Sequence, residues 1–342
     1  MVGETGDIGN SPSSGRRPMM TATEVRLEEI LLDPAGPKVV ALGGGHGLAI
    51  TLEALQSYAS EITAVVAVAD DGGSSGRLTT GLGMPPPGDL RRCLLALTPE
   101  PSIWSELFAY RFSGGDIEDH SLGNLLLAAL TDLTGDFASA SDMAGQMLGA
   151  VGRVVPAANQ PAVLQATVGG QELTGQTVIS KARGGVSSFR IGPEGLEAHA
   201  DALHAIGNAD QIVIGPGSLY TSLLAVLMVP GIAEAVMASN AGRVFVLNLI
   251  YQDGETLGMS GAQHLAHLGE IGGVKGPGAV VVNGSDLRLP PSPPVPVLAV
   301  RLDDEDAMAW GWSVRRADVV DHGAEWPEHE PLALGAALSK LL

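Results

Sequence analysis

The stretch that decides the fold is Val39-Val40-Ala41-Leu42-Gly43-Gly44-Gly45-His46-Gly47-Leu48, followed by a helix-length segment through Leu55. An apolar strand, a glycine loop and a helix in this order direct free backbone N–H groups and the positive end of a helix dipole at one point. The loop is neither a Walker motif, which needs Gly-Lys-Ser/Thr, nor a dinucleotide fingerprint, because Leu48 replaces the third glycine. We predict a phosphate-bearing ligand at Gly43, Gly44, Gly45, His46 and Gly47; the alternative is a tight turn without a ligand.

Short apolar runs alternate with helix-length segments along the rest of the chain. The candidate strands are Lys38–Leu42, Ile62–Ala69, Gln211–Ile214, Val244–Asn248 and Ala279–Asn283. Strands that are apolar throughout are typical of a sheet covered on both faces, and crossover units produce parallel pairing. The pattern predicts an α/β fold: a Rossmann-like, doubly wound, mainly parallel sheet.

The region between the second and third strands has a different pattern of polar and apolar residues. It is predicted to be an insertion over about residues 85–200. Its first part carries the helical segments Asp89–Leu97, Ser102–Phe112, Ser121–Leu133 and Ser141–Leu148. Polar–apolar alternation from Arg153 to Arg190 then indicates antiparallel strands. We expect this part-helical, part-antiparallel region to cap the ligand face of the sheet.

The two ends of the chain are predicted from composition. Residues 1–35 are rich in Gly, Ser and Pro, which favours a mobile tail ending in a short helix near Glu24–Leu32. Residues 36–342 are expected to form one α/β domain with its insertion. The C-terminal part, with the proline-rich Pro290–Pro296 and a last helix near Ala333–Leu341, is expected to close the sheet edge.

The charge balance excludes several function classes. The 342 residues include 19 Lys and Arg against 38 Asp and Glu, a formal net charge of −19, so the protein repels nucleic acid and anionic membranes. The single cysteine, Cys93, leaves no intrachain disulfide, and neither a signal peptide nor a membrane-spanning window is evident. We predict a cytoplasmic protein with no nucleic-acid partner and no membrane insertion.

A second polar loop, Asp70-Asp71-Gly72-Gly73-Ser74-Ser75, follows the second candidate strand. A carboxylate at this point of a doubly wound sheet commonly meets a ribose hydroxyl. The paired carboxylates of Asp70 and Asp71 are also suited to hold Mg²⁺ beside a diphosphate. A plain surface turn is the third alternative.

Two further motifs open helices. In Pro85-Pro86-Pro87-Gly88-Asp89-Leu90-Arg91-Arg92, Gly88 and Asp89 are ligand candidates, Asp89 also suits a helix cap, and Arg91 or Arg92 could reach a phosphate. In His120-Ser121-Leu122-Gly123-Asn124, Ser121 is the natural cap. His120 and Asn124 are candidates for hydrogen bonds to a sugar or base, and the histidine also for acid–base work.

The last two motifs follow later strands. Gly215-Pro216-Gly217-Ser218 precedes a helix whose N-terminus is expected to be open to an anionic or polar group, which makes Gly215, Gly217 and Ser218 candidates. The segment from Asn248 adds Gln252, Glu255 and Thr256. Because the carboxyl ends of parallel strands meet at one edge, we expect these loops to line one crevice. A His/Cys metal site and a Gly-x-Ser-x-Gly nucleophile are both unsupported.

In this order the six motifs resemble the YvcK family of bacterial gluconeogenesis factors, over about Lys38 to Gly284. The resemblance implies a CofD-like fold and a cytoplasmic protein that binds UDP-glucose or UDP-N-acetylglucosamine. It further implies a requirement for cell shape and cell-wall precursor balance on gluconeogenic carbon sources. The alternative, from the related CofD proteins, is a 2-phospho-L-lactate transferase acting on a deazaflavin precursor.

Two residues depart from the family pattern. His46 stands where threonine is usual, and Arg92 stands where asparagine is usual, so either residue can alter ligand preference. No catalytic residue is assigned, and Mg²⁺ with a diphosphate ligand is the only cofactor considered. A homodimer is the base-rate expectation, and a regulatory protein partner is left unidentified.

Overall fold

The computed structural model describes residues 32, 34–289 and 297–342. A main sheet has seven parallel strands: β1 (Lys38–Gly43), β2 (Glu61–Val66), β3 (Arg153–Pro156), β7 (Gln211–Ile214), β8 (Gly242–Val246), β9 (Gly278–Asn283) and β10 (Trp312–Ala317). A small antiparallel sheet contains β4 (Val163–Val168), β5 (Gln171–Thr174) and β6 (Val186–Gly192).

The strand order of the main sheet is β10-β9-β8-β7-β1-β2-β3. The chain builds outward from β1 through β2 and β3, then returns to the other side of β1 with β7 and continues to β10. The direction of winding therefore reverses between β1 and β7. In open parallel sheets, ligands bind in the crevice beyond the carboxyl ends of the strands at such a switch point. The predicted doubly wound α/β fold is confirmed.

Helices connect the strands. They are α1 (Gly45–Leu55), α2 (Gly73–Leu82), α3 (Pro87–Ala96), α4 (Ile103–Ala109), α5 (Leu122–Thr134), α6 (Phe137–Leu148), α7 (Gln176–Ile179), α8 (Ala200–Gly207), α9 (Ala225–Leu227), α10 (Ile232–Ala238), α11 (Gly261–Glu270), α12 (Asp304–Ala309) and α13 (Pro331–Leu338). A π-helical segment, Leu219–Leu224, leads into α9, and a 3₁₀ turn, Ser339–Leu341, follows α13.

The side chains of β1 show how the two faces of the sheet are buried. Val39 and Ala41 belong to one apolar core, which also contains residues of α1, α3, α5, α6 and α13. Val40 and Leu42 belong to a second core, with α8 to α12, the π-helical segment and the small sheet. Because both faces are covered, β1 carries no polar side chain after Lys38, which explains why its sequence reads as continuously apolar.

Two strands of the main sheet were not predicted as such. Arg153–Pro156 was expected within an antiparallel insertion, but it pairs in parallel with β2 as β3. Four residues are too few to distinguish the two kinds of strand by periodicity. Strand β10 was missed because, at the sheet edge, Arg315 and Arg316 are exposed and interrupt its apolar pattern.

The helical part of the predicted insertion lies in the first core. Leu90 and Leu94 of α3 and Leu127 of α5 are buried there against the sheet layer. The edge of the sheet is formed by β10, whereas the last helix packs on α1: a Cβ on Gly335 would lie 2.5 Å from the carbonyl oxygen of Ala54. The C-terminal part of the chain therefore closes the sheet edge through β10, and its last helix takes no part in this.

Some predictions lie outside the described residues. These are the tail over residues 1–35, apart from residues 32, 34 and 35, and all of Pro290–Pro296. Within the described ranges, no single helix combines the length and the apolar character needed to cross a membrane. The pair Leu219–Leu227 and Ile232–Ala238, bent by 72°, meets those criteria only when counted together.

Candidate functional site

The glycine loops after β1 and β7 touch each other across the switch point. A Cβ on Gly47 would lie 2.4 Å from the carbonyl oxygen of Pro216. Thr51, one turn further along α1, donates its hydroxyl to the carbonyl oxygen of Gly215 at 3.1 Å. Gly45 has φ +65°, a conformation that favours glycine. The backbones of the two loops therefore meet directly, without intervening side chains.

The loop after β2 and the start of α3 adjoin the glycine loop. A Cβ on Gly88 would lie 2.3 Å from Ser75 Oγ, and a Cβ on Gly44 would lie 2.6 Å from Asp89 Oδ2. Asp70 Oδ1 accepts the N–H of Gly72 at 2.9 Å and closes the turn before α2. The structure thus brings the first three predicted motifs together.

Four helices begin at this crevice without a side-chain cap. No N–H group is accepted by the N-cap side chain in α1, α2, α3 or α5. In contrast, α4, α6, α8, α11 and α13, which begin outside these motifs, are capped by their own N-cap side chains. Uncapped N–H groups attract anions. Part of this demand is met within the chain, because Asp89 accepts a backbone hydrogen bond from Gly45 of α1 and the carbonyl oxygen of Tyr110 accepts the N–H of Leu122 of α5. The remaining N–H groups are donors suited to phosphate.

Neither predicted cap forms. Asp89 lies in the first turn of α3 and pairs with Arg92 at 2.7 Å, while its burial raises its pKa against the opposing charge of Arg92. Ser121 occupies the N-cap position of α5, but its hydroxyl donates to the carbonyl oxygen of Phe108 at 3.2 Å. For Ser121 a tertiary partner replaces the local one, whereas Asp89 pairs within its own helix and also accepts a backbone hydrogen bond from Gly45 of α1.

A chain of hydrogen bonds links the second, third and fourth motifs. Ser74 Oγ lies 2.9 Å from His120 Nδ1 and accepts the amide of Asn124 at 3.1 Å. Asn124 Oδ1 accepts Arg91 Nε at 3.0 Å. Removal from water, followed by the charges of nearby arginines, lowers the pKa of His120 and favours its neutral form. Four predicted site residues thus form one connected group.

Arg91 is the cation of this group. It is buried, and desolvation together with the neighbouring positive charges lowers its pKa to about 10. Its protein partners are the oxygens of Asn124 and Phe108, and no carboxylate of the described residues lies within 4.0 Å of it. A buried cation is costly without a counter-ion. An anionic ligand would supply that charge.

The helix end after the second glycine loop is occupied. The carboxylate of Glu255 accepts the N–H groups of Tyr220 and Thr221, at 3.1 and 3.4 Å, and the hydroxyl of Thr221. The prediction that this N-terminus is open is therefore wrong, because a later loop of the chain supplies an internal anion. Burial raises the pKa of Glu255, and these hydrogen bonds oppose that shift.

The remaining residues of that loop shape the second glycine turn. Asn248 binds the backbone of Gly217 twice, through Oδ1 at 2.9 Å and Nδ2 at 2.8 Å. Gln252 Nε2 donates to Ser218 Oγ at 3.1 Å, and its own N–H binds Thr256 Oγ1 at 3.0 Å. Their direct contact with a ligand stays a prediction.

Asp71 and His46 have partners that the sequence did not indicate. Asp71 Oδ1 accepts the N–H and the hydroxyl of Thr177 at 2.8 and 2.6 Å. His46 is exposed, and its Nε2 lies 2.9 Å from Glu328 Oε2. Thr177 and Glu328 are far away in sequence, so no local pattern reveals them. No group of three or more His, Cys, Asp or Glu suited to a metal occurs among the described residues, and Mg²⁺ at Asp70 and Asp71 stays a prediction.

A cavity of about 400 Å³, which we call the side cavity, was also missed. It is lined by residues 183–186 before and within β6, by Tyr220, by the loop 254–259, and by Gln263 and His267 of α11. Its sequence signal is the pair Gly184-Gly185, which was read only as part of the insertion.

Comparison with known proteins gives the family. Residues 39–318 match the family described as 2-phospho-L-lactate transferase CofD. The gluconeogenesis factor of Bacillus subtilis is 38% identical over 311 residues, which cover 90% of this chain and 98% of that protein. A putative gluconeogenesis factor of Nostoc is 46% identical over 232 residues, 67% of this chain but only about half of that protein, 51%.

A solved structure agrees. The crystal structure of a Bacillus halodurans protein of the UPF0052 family has a TM-score of 0.81 and 36% identity, covering 89% of this chain and 99% of that one. With the family match and these relatives, the chain belongs to the CofD/YvcK family.

Proposed function

We propose that this protein binds a nucleotide-sugar, with its phosphates in the crevice between β1 and β7, and acts as a cytoplasmic regulator. The observation that carries the proposal is that the starts of α1, α2 and α3 touch one another without N-cap side-chain hydrogen bonds, while α3 carries the buried Arg91, which is joined through Asn124 to the equally uncapped start of α5. A diphosphate would accept hydrogen bonds from the free N–H groups and provide the counter-ion that Arg91 lacks.

The biological setting rests on the relatives. The Bacillus subtilis and Halalkalibacterium halodurans proteins, 38% and 43% identical to this chain, are both named gluconeogenesis factor. By resemblance we place this protein in the control of cell shape and cell-wall precursor balance during gluconeogenic growth, with UDP-glucose or UDP-N-acetylglucosamine as the ligand.

The alternative is a transferase. The matched family description names a 2-phospho-L-lactate transferase, and such a reaction needs only two aligned substrates and charge stabilisation. Arg91 and the helix N-termini suit that task equally well. We favour the regulator because the motifs follow the gluconeogenesis-factor pattern.

Calorimetric titration with UDP-N-acetylglucosamine, with and without Mg²⁺, tests the binding proposal. In Arg91→Met, loss of a charged hydrogen-bond donor should weaken binding by roughly ten- to a hundredfold. The matched control is Arg315→Met, at the exposed far edge of the sheet, which should bind as wild type does. Absence of binding by the wild-type chain would overturn the proposal.

Product analysis with a deazaflavin acceptor, a phospholactyl-bearing guanosine nucleotide and Mg²⁺ separates the two functions. If the protein is a regulator, the deazaflavin acceptor is recovered unchanged. Turnover that is lost in Arg91→Met but kept in Arg315→Met would establish the transferase instead.

A further inference from the structure

The side cavity differs in chemistry from the crevice. Its one cation, Arg183, is held by Asp253 in a bidentate pair, with Nε–Oδ1 at 3.1 Å and Nη2–Oδ2 at 2.8 Å. The buried carboxylate of Glu255 forms part of its wall. Because the positive charge is already paired and a negative charge is fixed nearby, the cavity disfavours phosphate.

Its hydrogen-bonding groups suit a neutral ligand. His267 Nδ1 lies 2.6 Å from the hydroxyl of Tyr220, whereas Nε2 has no partner among the described residues. Burial lowers the pKa of His267, so the ring is neutral at pH 7. Gln263 uses Oε1 to accept the N–H of Ser260 at 2.8 Å, and no described residue accepts a hydrogen bond from its Nε2. One imidazole nitrogen and one amide are thus available to a ligand.

Glycine and apolar residues provide the rest of the wall. Gly184, Gly185 and Gly258 lack side chains, while Val186, Leu257 and Met259 present carbon surface. A volume of about 400 Å³ lies within the range of small-molecule sites. Carbon surface with a few convergent hydrogen-bonding groups matches a ring that carries both C–H faces and hydroxyl groups.

The side cavity lies close to the crevice along the chain. Gly217 borders the first glycine loop, where a Cβ would lie 3.7 Å from the carbonyl oxygen of Gly44, and Tyr220 lines the side cavity three residues later. Three residues span at most about 11 Å. A single ligand with phosphates at one end and a ring at the other can therefore reach both places.

We propose that the side cavity binds a neutral, hydroxyl-bearing ring, and that it holds the sugar of a nucleotide-sugar whose phosphates lie at the β1–β7 crevice. The second clause rests on the proposed function. The first depends only on the lining of the side cavity.

Gly185→Leu is the sharpest test. Gly185 is the cavity glycine whose φ lies outside the left-handed region and whose added Cβ would meet no atom within 4 Å, so leucine fills space without displacing the fold. Gly207→Leu, at the exposed end of α8 and also without contacts, is the matched control. His267→Phe keeps the ring but removes the free nitrogen.

Affinities for UDP-N-acetylglucosamine and for UDP are measured with each variant by calorimetry. Gly185→Leu should lower the affinity for UDP-N-acetylglucosamine by at least about tenfold, and His267→Phe should lower it by about threefold to tenfold. UDP should bind all variants equally, and Gly207→Leu should bind both ligands as wild type does. Equal effects on UDP and UDP-N-acetylglucosamine, or no effect on either, would overturn the assignment.

A separate experiment distinguishes failure of the proposed function from failure of the side-cavity assignment. If the wild-type chain binds neither nucleotide, saturation-transfer NMR with free N-acetylglucosamine decides the case. Transfer that is present in wild type and Gly207→Leu but absent in Gly185→Leu supports a neutral-ring site. Absence of transfer to the wild-type chain rejects it.

Discussion

Replacing Gly47 with alanine tests the contact between the two glycine loops. The added Cβ would lie 2.4 Å from the carbonyl oxygen of Pro216 and 3.2 Å from the nitrogen of Gly217. Ordinary contact begins at 3.4 Å, so the two loops must separate by about 1.0 Å. Because the obstacle is backbone, it cannot move aside as a flexible side chain can. Overpacking of this kind costs about 1–3 kcal/mol.

The matched control is Gly81→Ala in α2. Gly81 is exposed, and its added Cβ would meet no atom within 4 Å. Alanine in a helix stabilises by roughly 0.5–1 kcal/mol relative to glycine. Both substitutions gain this helix-propensity stabilisation, so the difference in unfolding free energy between the two variants measures the steric cost at Gly47.

Urea unfolding and calorimetric titration with UDP-N-acetylglucosamine measure the outcome. Gly47→Ala should unfold at a lower urea concentration than wild type, Gly81→Ala at a higher one, and the two free energies should differ by about 1–3 kcal/mol. Ligand affinity should fall only in Gly47→Ala, because donors displaced by 1 Å no longer converge. Equal free energies of unfolding for Gly47→Ala and Gly81→Ala would refute the close contact between the two glycine loops.

Two further substitutions test buried polar groups. Asn124→Ala leaves the buried Nε of Arg91 without its acceptor and should lower the free energy of unfolding by about 1–3 kcal/mol. Thr131→Ala on the same helix should change it by less than about 0.5 kcal/mol; equal losses would count against the network. Burial lowers the pKa of His329 to about 4, so unfolding takes up a proton as the pH falls from 6.5 towards 4 and wild-type stability decreases across that window. His329→Leu should remove up to about 3 kcal/mol of that decrease, measured by urea unfolding at pH 7.5 and pH 4.5; parallel pH profiles for the two proteins would contradict the assignment.

The fold was predictable where apolar strands lie between two covering layers. β1, β7 and β9 were expected within one residue of their observed bounds, since each is buried on both faces and followed by a polar loop or glycine turn. β10 could not be found in this way. Its position at the sheet edge permits exposed arginines, which resemble a loop in sequence.

The candidate site was predictable to the level of its loops but not its contacts. Arg91 and Asn124 were identified by type, yet their hydrogen bond joins helices 33 residues apart in sequence. Glu255 was expected to face a ligand, and the sequence did not indicate that its carboxylate also fills the N-terminus of the π-helical segment. Which polar atoms remain free depends on tertiary pairing, and a motif does not contain that information.

The hydrogen bonds between Asp71 and Thr177 have a consequence for communication through the molecule. They join the loop after β2, beside the crevice, to the first turn of α7, which packs on β4 and β5. A ligand that shifts this loop would therefore pull on α7 and the antiparallel sheet through these two hydrogen bonds. We therefore expect the outward side of that sheet to move with the occupancy of the crevice.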